Sequence, residues 1–281
     1  MAKTEIYYVS GTGNSLVIAQ RIAERLEGEA MPIASFVDRE RIVSDASVIG
    51  ITFPVYYADL PNIVRRFAER LDAEDGTYVF AVATYGGAAG ASLDTLDRIL
   101  RLRGRPLLAG FGVHMPQNAF HKWWEIKRWV YRLAERRTRF VVRSVIARRR
   151  GMHYANLPLQ VVLSAFHGWL RRMTALHLEE VAGIPSPSGL DVEGLIPLTD
   201  RAFSVNDRCT GCGICAQVCP AANIEIVDER PAWLGHCENC LACVNWCPQD
   251  AIRGGIVRDA YRYRHPGVTL GEMVVRHRSK V

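Results

Sequence analysis

The cysteines are where the chemistry of this sequence is concentrated, and all eight of them fall between Cys209 and Cys247. They form two runs of the pattern Cys-x2-Cys-x2-Cys-x3-Cys-Pro: Cys209, Cys212, Cys215, Cys219 and Pro220, then Cys237, Cys240, Cys243, Cys247 and Pro248. Each position recurs 28 residues later, and Ile224 and Ile252 keep the same offset, so the stretch is an internal duplication. Soft thiolates suit iron-sulfur clusters, and three cysteines at three-residue steps let one short loop wrap a many-cornered cluster before proline breaks the pattern. Zinc takes two Cys-x2-4-Cys pairs, which leaves the third evenly spaced cysteine and the trailing Cys-Pro unexplained. A disulfide framework implies secretion, and Met1 to Val9 lacks the cationic region, apolar core and cleavage site of a signal peptide. Thiolate ligands point to a reducing cytoplasm.

A second group of residues suited to chemistry lies at the other end of the chain, in Ser10-Gly11-Thr12-Gly13-Asn14-Ser15. Two glycines let the backbone turn and approach a ligand, and the hydroxyls and the Asn14 amide add donors to the free amides of a helix start. With neither Lys nor Arg present this is not a Walker loop, and Gly-x-Gly-x-x-Gly is incomplete as well.

The elements that must position this loop alternate between strand and helix. Glu5 to Val9 reads as a strand and Leu16 to Leu26 as a helix, with further strands expected at 47-53, 77-84 and 107-115 and helices at 61-71 and 92-102. Near-continuous apolar strands separated by helices argue a parallel sheet covered on both faces, whose ligands bind at the carboxyl ends of the strands. Two more loops fall at such ends. One runs Pro54-Val55-Tyr56-Tyr57 and the other Thr84-Tyr85-Gly86-Gly87, with Asn118 a further candidate.

Ser-Gly-Thr-Gly-Asn-Ser after the first strand resembles the phosphate loop of flavodoxins. That resemblance implies FMN, its phosphate at Ser10 to Ser15 and its ring flanked by Tyr56, Tyr57 and Tyr85, with Gly86 and Gly87 close to the ring. The cysteine runs resemble bacterial-type two-cluster ferredoxins, in which the fourth cysteine of each run serves the other cluster. On that pattern Cys209, Cys212, Cys215 and Cys247 hold one 4Fe-4S cluster, and Cys237, Cys240, Cys243 and Cys219 the other. Together the two parts resemble the ferredoxin-flavodoxin fusion family. The resemblance covers residues 1-118 and 201-265, including the late Tyr261-Arg262-Tyr263-Arg264-His265-Pro266.

The fold class expected is therefore α/β: a flavodoxin-like doubly wound five-stranded parallel sheet over 1-118, a basic amphipathic helical segment over 119-182, a linker over 183-200, a small α+β ferredoxin domain over 201-265 and a tail over 266-281. The net charge of +6 is not evenly spread, since residues 121-150 alone carry eleven basic and two acidic side chains. In the same segment Trp123, Ile126, Val130, Leu133, Phe140 or Val141 and Val145 make a helical stripe interrupted at Arg137, and Val162, Phe166, Trp169, Met173 and Leu176 make another. Three roles fit this composition: an apolar face packed inside the protein beneath a solvated arginine face, a docking face for a redox partner or a second copy, and a surface for anionic membrane. No apolar run approaches the ~18 residues that span a bilayer, and no nucleic-acid motif is present. His114, His121, His153, His167 and His177 lack paired metal spacing and read as structural.

The function expected is electron transfer, relaying single electrons between two 4Fe-4S clusters and FMN and passing them to or from a partner oxidoreductase or a small carrier. The alternatives are an FMN-dependent reductase of a small substrate fed by the clusters, and a redox-sensing or scaffold protein without FMN.

Overall fold

Ile6 and Tyr7 are neighbours on β1 (Thr4–Tyr8), and strand alternation sends them to opposite faces of a sheet. Ile6 joins the apolar cluster beneath α1 (Asn14–Arg25) and α4 (Lys127–Ile146), while the Tyr7 ring packs on Phe67 of α2 (Asn62–Arg70), 4.7 Å between centroids. Each face has its own helical cover. The computed structural model describes residues 3-118, 127-154, 161, 165-257 and 262-275. The chain divides into two units: Met1–Ser10, Asn14–Pro116 and Trp124–Ala165 make the first, and Gly11–Gly13, Gln117–Trp123 and Phe166–Val281 the second.

In the first unit β1, β2 (Glu29–Pro32), β4 (Val48–Pro54), β6 (Tyr78–Tyr85), β7 (Ala109–His114) and β8 (Gly151–His153) form one parallel sheet in the order β2-β1-β4-β6-β7-β8. A short separate pair joins β3 (Ile42–Ser44) to β5 (Leu71–Ala73), and α3 (Ser92–Leu102) lies between β6 and β7 in the chain. Counting only the strands of the large sheet, the order is 2-1-3-4-5 plus an added edge, the flavodoxin-like doubly wound arrangement. Every residue of β6 is buried, as a central strand covered on both faces requires.

Two expectations are corrected here. Among the described residues the sheet has six strands, and α4 is no separate insertion: Ala134, Val141, Val142 and Val145 share the core cluster of the sheet with Ile18 and Ile22 of α1, and Val130 is buried as well. Burying each valine contributes about 1.5–3 kcal/mol, which is what holds the arginine-rich helix down. The boundary expected at 118 therefore falls inside the sheet region, because β8 pairs with β7 through Ala109↔Gly151, Gly110↔Met152 and Phe111↔His153. Arg137, read as a break in the stripe, faces the sheet. It donates from Nε to the Gly112 carbonyl at 3.1 Å and from Nη2 to the His153 carbonyl, and its guanidinium lies over the Phe140 ring. Trp123, Trp124, Ile126, His121, Val162 and Tyr261 lie outside the described residues.

The second unit contains α5 (His167–Ala182), which ends at Gly183 in the left-handed region, φ 64°. Phe166, Trp169, Met173 and Leu176 are exposed on it, whereas Leu178 and Ala182 are buried, so the expected stripe is not the packed face. The stretch expected as a bare linker carries α6 (Val192–Leu195), capped by Asp191 accepting from the Gly194 amide at 2.8 Å, and a 3-10 segment, Ile196–Ala202. β9 (Phe203–Val205) pairs antiparallel with β12 (Ile252–Gly254), and β10 (Ile224–Val227) with β11 (Arg230–Trp233). Between them stand α7 (Ile214–Gln217) and α8 (Ala242–Trp246), and α9 (Leu270–Met273) follows.

Candidate functional site

The duplication seen in the cysteine spacing is repeated in the backbone. Gly211 and Asn239, Gly213 and Leu241, and Ala222 and Asp250 are pairs 28 residues apart, and all six residues have positive φ, between 47° and 72°. Gly213 and Leu241 immediately precede α7 and α8. Left-handed residues at these offsets curl each Cys-x2-Cys-x2-Cys loop around a hollow instead of letting it run on as helix.

Two cavities result. One, about 350 Å³, is lined by Cys209, Cys212, Cys215 and Cys247, and the other, about 320 Å³, by Cys219, Cys237, Cys240 and Cys243. Three cysteines of one run meet the fourth of the other run in each cavity. Among the described residues no three Cys, His, Asp or Glu side chains converge on the position of a single ion; the cysteines stand around the two volumes.

The cavities differ in exposure. Cys212 is exposed and Cys209 half-buried, whereas Cys219, Cys240 and Cys243 are buried. Burial pushes the Cys215 thiol up to about 11 and Cys237 up to about 12, raises Cys219, and drives Cys240 and Cys243 well above the ordinary thiol range. Apolar walls oppose a bare thiolate, so a cationic iron centre is what such ligands fit. Backbone amides supply part of the compensation. Asn223 donates to Cys219 Sγ at 3.3 Å, Ala251 to Cys247 Sγ at 3.3 Å and Asn239 to Cys237 Sγ at 3.2 Å. Trp233, which lines the second cavity and stacks on Phe203 at 5.5 Å, has a buried indole N–H without a hydrogen-bond partner among the described residues. The donor set and the apolar surround fit iron-sulfur clusters.

The loops expected to hold a flavin lie at the carboxyl ends of β1, β4 and β6, where the strand order reverses. Ser15 is fully buried and its hydroxyl pairs with that of Thr84 at 2.8 Å, while Asn14 Nδ2 donates to the Pro116 carbonyl at 2.9 Å. Both side chains fasten α1 to the strand ends. Ser10 and Thr12 are buried as well. Pro54 ends β4, and the next amide, Val55, donates to the Thr84 carbonyl at 2.9 Å, which sets two of the loops side by side. Positive φ at Tyr57 and Ala58 turns the first of them, and the backbones of Tyr56 and Asp59 bond each other. Asp59 pairs with Arg65 at 3.1 Å, and a side chain at Gly90 would overlap the Ala58 carbonyl.

The predicted aromatic residues divide. Tyr56 and Tyr57 are half-exposed. Tyr85 is buried, with its hydroxyl end over Gly112 and its ring edge-on to His114 at 6.2 Å, a packing residue of the sheet end. His114 Nε2 bonds the Gly86 carbonyl at 2.8 Å, and the space beside Gly87 is open. Asn118 lies by the Gly11 turn, sharing with it the Cys240 carbonyl. It belongs to the second unit and donates to the Cys240 carbonyl at 3.2 Å. Gly11, Thr12 and Gly13 are likewise counted with the second unit.

Several residues that support the cysteine loops carried no motif. Asn245 is fully buried, donating to the Leu241 carbonyl at 2.9 Å and accepting from the Tyr263 amide at 2.7 Å. Arg264 donates to the Asn245 and Cys247 carbonyls, at 2.5 and 3.3 Å. The available signal was the late Arg-Tyr-Arg-His stretch, whose spacing says nothing of a target.

Comparison with known proteins agrees with this anatomy. The 4Fe-4S dicluster domain family matches residues 208-252. A 67-residue stretch is 35% identical to the delta subunit of the NADH-dependent phenylglyoxylate dehydrogenase of Aromatoleum evansii; it is 22% of this chain and covers 63% of that subunit's length. Among solved structures, a flavoprotein from Bacteroides uniformis aligns at 20% identity and TM-score 0.34 over 46% of this chain and 98% of its own. Rubredoxin oxygen:oxidoreductase from Desulfovibrio gigas aligns at 15% identity and TM-score 0.35 over 52% of this chain and 36% of its own. With scores this low it is the strand order that identifies the fold. One chain thus carries a doubly wound sheet of flavodoxin-like strand order and a segment that matches the 4Fe-4S dicluster domain family.

Proposed function

We propose that this chain relays single electrons between two 4Fe-4S clusters and FMN and passes them to or from a partner oxidoreductase. The observation that carries the reading is the division of eight cysteines into two cavities, each with three cysteines of one run and the fourth of the other. When bound, each cluster exchanges one electron at a time and the flavin two in separate steps. The chain's own part is to hold and to insulate. Cys209, Cys212, Cys215 and Cys247 hold one cluster, and Cys219, Cys237, Cys240 and Cys243 the other. Leu241, Val244, Ile224 and Ile252, with Phe203 and Trp233, keep water from the sulfurs, and the amides of Asn223, Asn239 and Ala251 stabilise negative charge on them.

The residues Ser10 to Ser15 take the FMN phosphate through amides and hydroxyls, and Tyr56 and Tyr57 flank the ring beside Gly86 and Gly87. The exposure of Cys212 makes the first cavity the point of exchange with a redox partner. A partner protein is supported by the relative in Aromatoleum evansii, which is one subunit of a dehydrogenase. Among the described residues no helix is long and apolar enough to cross a membrane.

Anaerobic purification with iron, sulfide and flavin quantified per chain tests the reading. About eight irons and one FMN are expected from two 4Fe-4S clusters and one flavin. Iron near eight with no flavin retained, and none bound on addition of FMN, would overturn the flavin half; iron near one or two would overturn the clusters.

A further inference from the structure

Gly11–Gly13 is counted with the second unit for a reason visible atom by atom. Trp246, the last residue of α8, stands between Cys243 and Cys247 and is buried. Its indole Nε1–H donates to the Gly11 carbonyl at 3.0 Å. The Arg264 guanidinium lies over the Trp246 ring, 5.2 Å from its centroid, and ties itself to the carbonyls of Asn245 and Cys247. One residue further on, the His265 amide donates to the Thr12 carbonyl at 2.9 Å. Two successive carbonyls of the turn are therefore held by the segment that carries Cys247 and the segment that braces it.

Those two bonds also aim the turn's donors. In a planar trans peptide the N–H points away from the C=O of the preceding residue. Holding the Gly11 carbonyl on Trp246 turns the Thr12 N–H in the opposite direction, and holding the Thr12 carbonyl on His265 fixes the next peptide plane. Gly11 has no positive φ, so its backbone conformation does not demand glycine; what demands it is space, since a Cβ there would overlap the Cys240 carbonyl. That carbonyl accepts from Asn118. Gly13, at φ 95°, would meet Val268 and His265. The turn is shaped against a loop whose cysteines wall the second cavity.

We infer that Trp246 is a positioning residue coupling the second cysteine loop to the Gly11–Gly13 turn, so that filling the cavity walled by Cys219, Cys237, Cys240 and Cys243 and binding a flavin phosphate at the turn favour each other. The inference rests on the turn being the phosphate site of the proposed function. Coupling of this kind is reciprocal: whatever the cluster does for phosphate affinity, the phosphate does for cluster retention.

The test uses the full-length protein with its clusters in place and its flavin stripped, titrated with FMN and with riboflavin, which lacks the phosphate. Trp246→Phe keeps the packed ring and removes one N–H donor. FMN affinity is expected to fall about three- to tenfold, the range for one hydrogen bond, with riboflavin affinity unchanged and iron content intact. A second measurement needs no variant: saturating FMN slows removal of iron from the wild type by a chelator, and saturating riboflavin does not. Equal affinities of the wild type for FMN and riboflavin would overturn the phosphate site itself. A wild type that prefers FMN, with Trp246→Phe unchanged or weakened equally for both flavins, would overturn the coupling while leaving the site standing. So would iron release that FMN and riboflavin slow alike.

Discussion

Arg137 shows how one side chain changes meaning once its neighbours are known. Burial of its guanidinium lowers its pKa from the ordinary value, yet it stays charged, and the carbonyls of Gly112 within β7 and His153 at the end of β8 accept from it. Truncation would leave both carbonyls to find other donors and would remove the contact with Phe140. Arg137→Ala is expected to destabilise the first unit by about 2 kcal/mol, the scale of charge-assisted bonds. Arg137→Lys recovers only part of this, because one ammonium does not reproduce a two-armed fork. Urea unfolding followed by far-ultraviolet circular dichroism measures both. Equal stability of wild type and Arg137→Ala would show the guanidinium to be idle.

Among the elements, the two Cys-rich loops share a fold that depends on residues in the left-handed region, and the first copy uses glycine where the second uses Asn239 and Leu241. Gly213 is the place to test the conformation alone. A Cβ there meets nothing closer than Gln217 at 3.8 Å, so Gly213→Ala adds a conformational cost of about 1 kcal/mol without a clash. At Gly211 the Cβ also crowds Glu229, at 3.0 Å. Iron loss to a chelator is expected to be faster in Gly213→Ala than in wild type and faster again in Gly211→Ala. If Gly213→Ala matches wild type, the left-handed backbone is not what shapes the cavity. α4 makes the complementary point: Arg132, Arg136, Arg139 and Arg143 are exposed while Val141, Val142 and Val145 pack on the sheet, so a composition suggesting a binding helix also describes a cover of a doubly wound sheet.

For the whole molecule the decisive feature is that Cys219 and Cys247 each serve the cavity of the other run, so neither half of the duplication is a complete site. Paired variants expose this. The double variant Cys215→Ala, Cys247→Ala strikes one cavity and should keep about four irons, whereas Cys240→Ala, Cys247→Ala strikes both and should keep none. The reverse pattern would mean that each run closes its own cluster. The amino-acid sequence by itself determined the pieces whose causes are local. Cysteine spacing and its repeat at 28 residues set which thiols share a loop, apolar strands alternating with helices set the doubly wound class, and glycine and hydroxyl groups after β1 set the candidate turn. It left open what depends on partners far along the chain. β2 was not legible because Glu-Ala-Met-Pro is an exposed-edge strand without apolar alternation. Nor did the sequence show that Gly112 leaves room in the sheet for the hydroxyl end of Tyr85, or that the Asn118 amide donates to the Cys240 carbonyl. The tertiary structure decided these because hydrogen bonds and van der Waals space go to whatever atoms arrive within about 4 Å, and spacing along the sequence carries no record of which atoms those are.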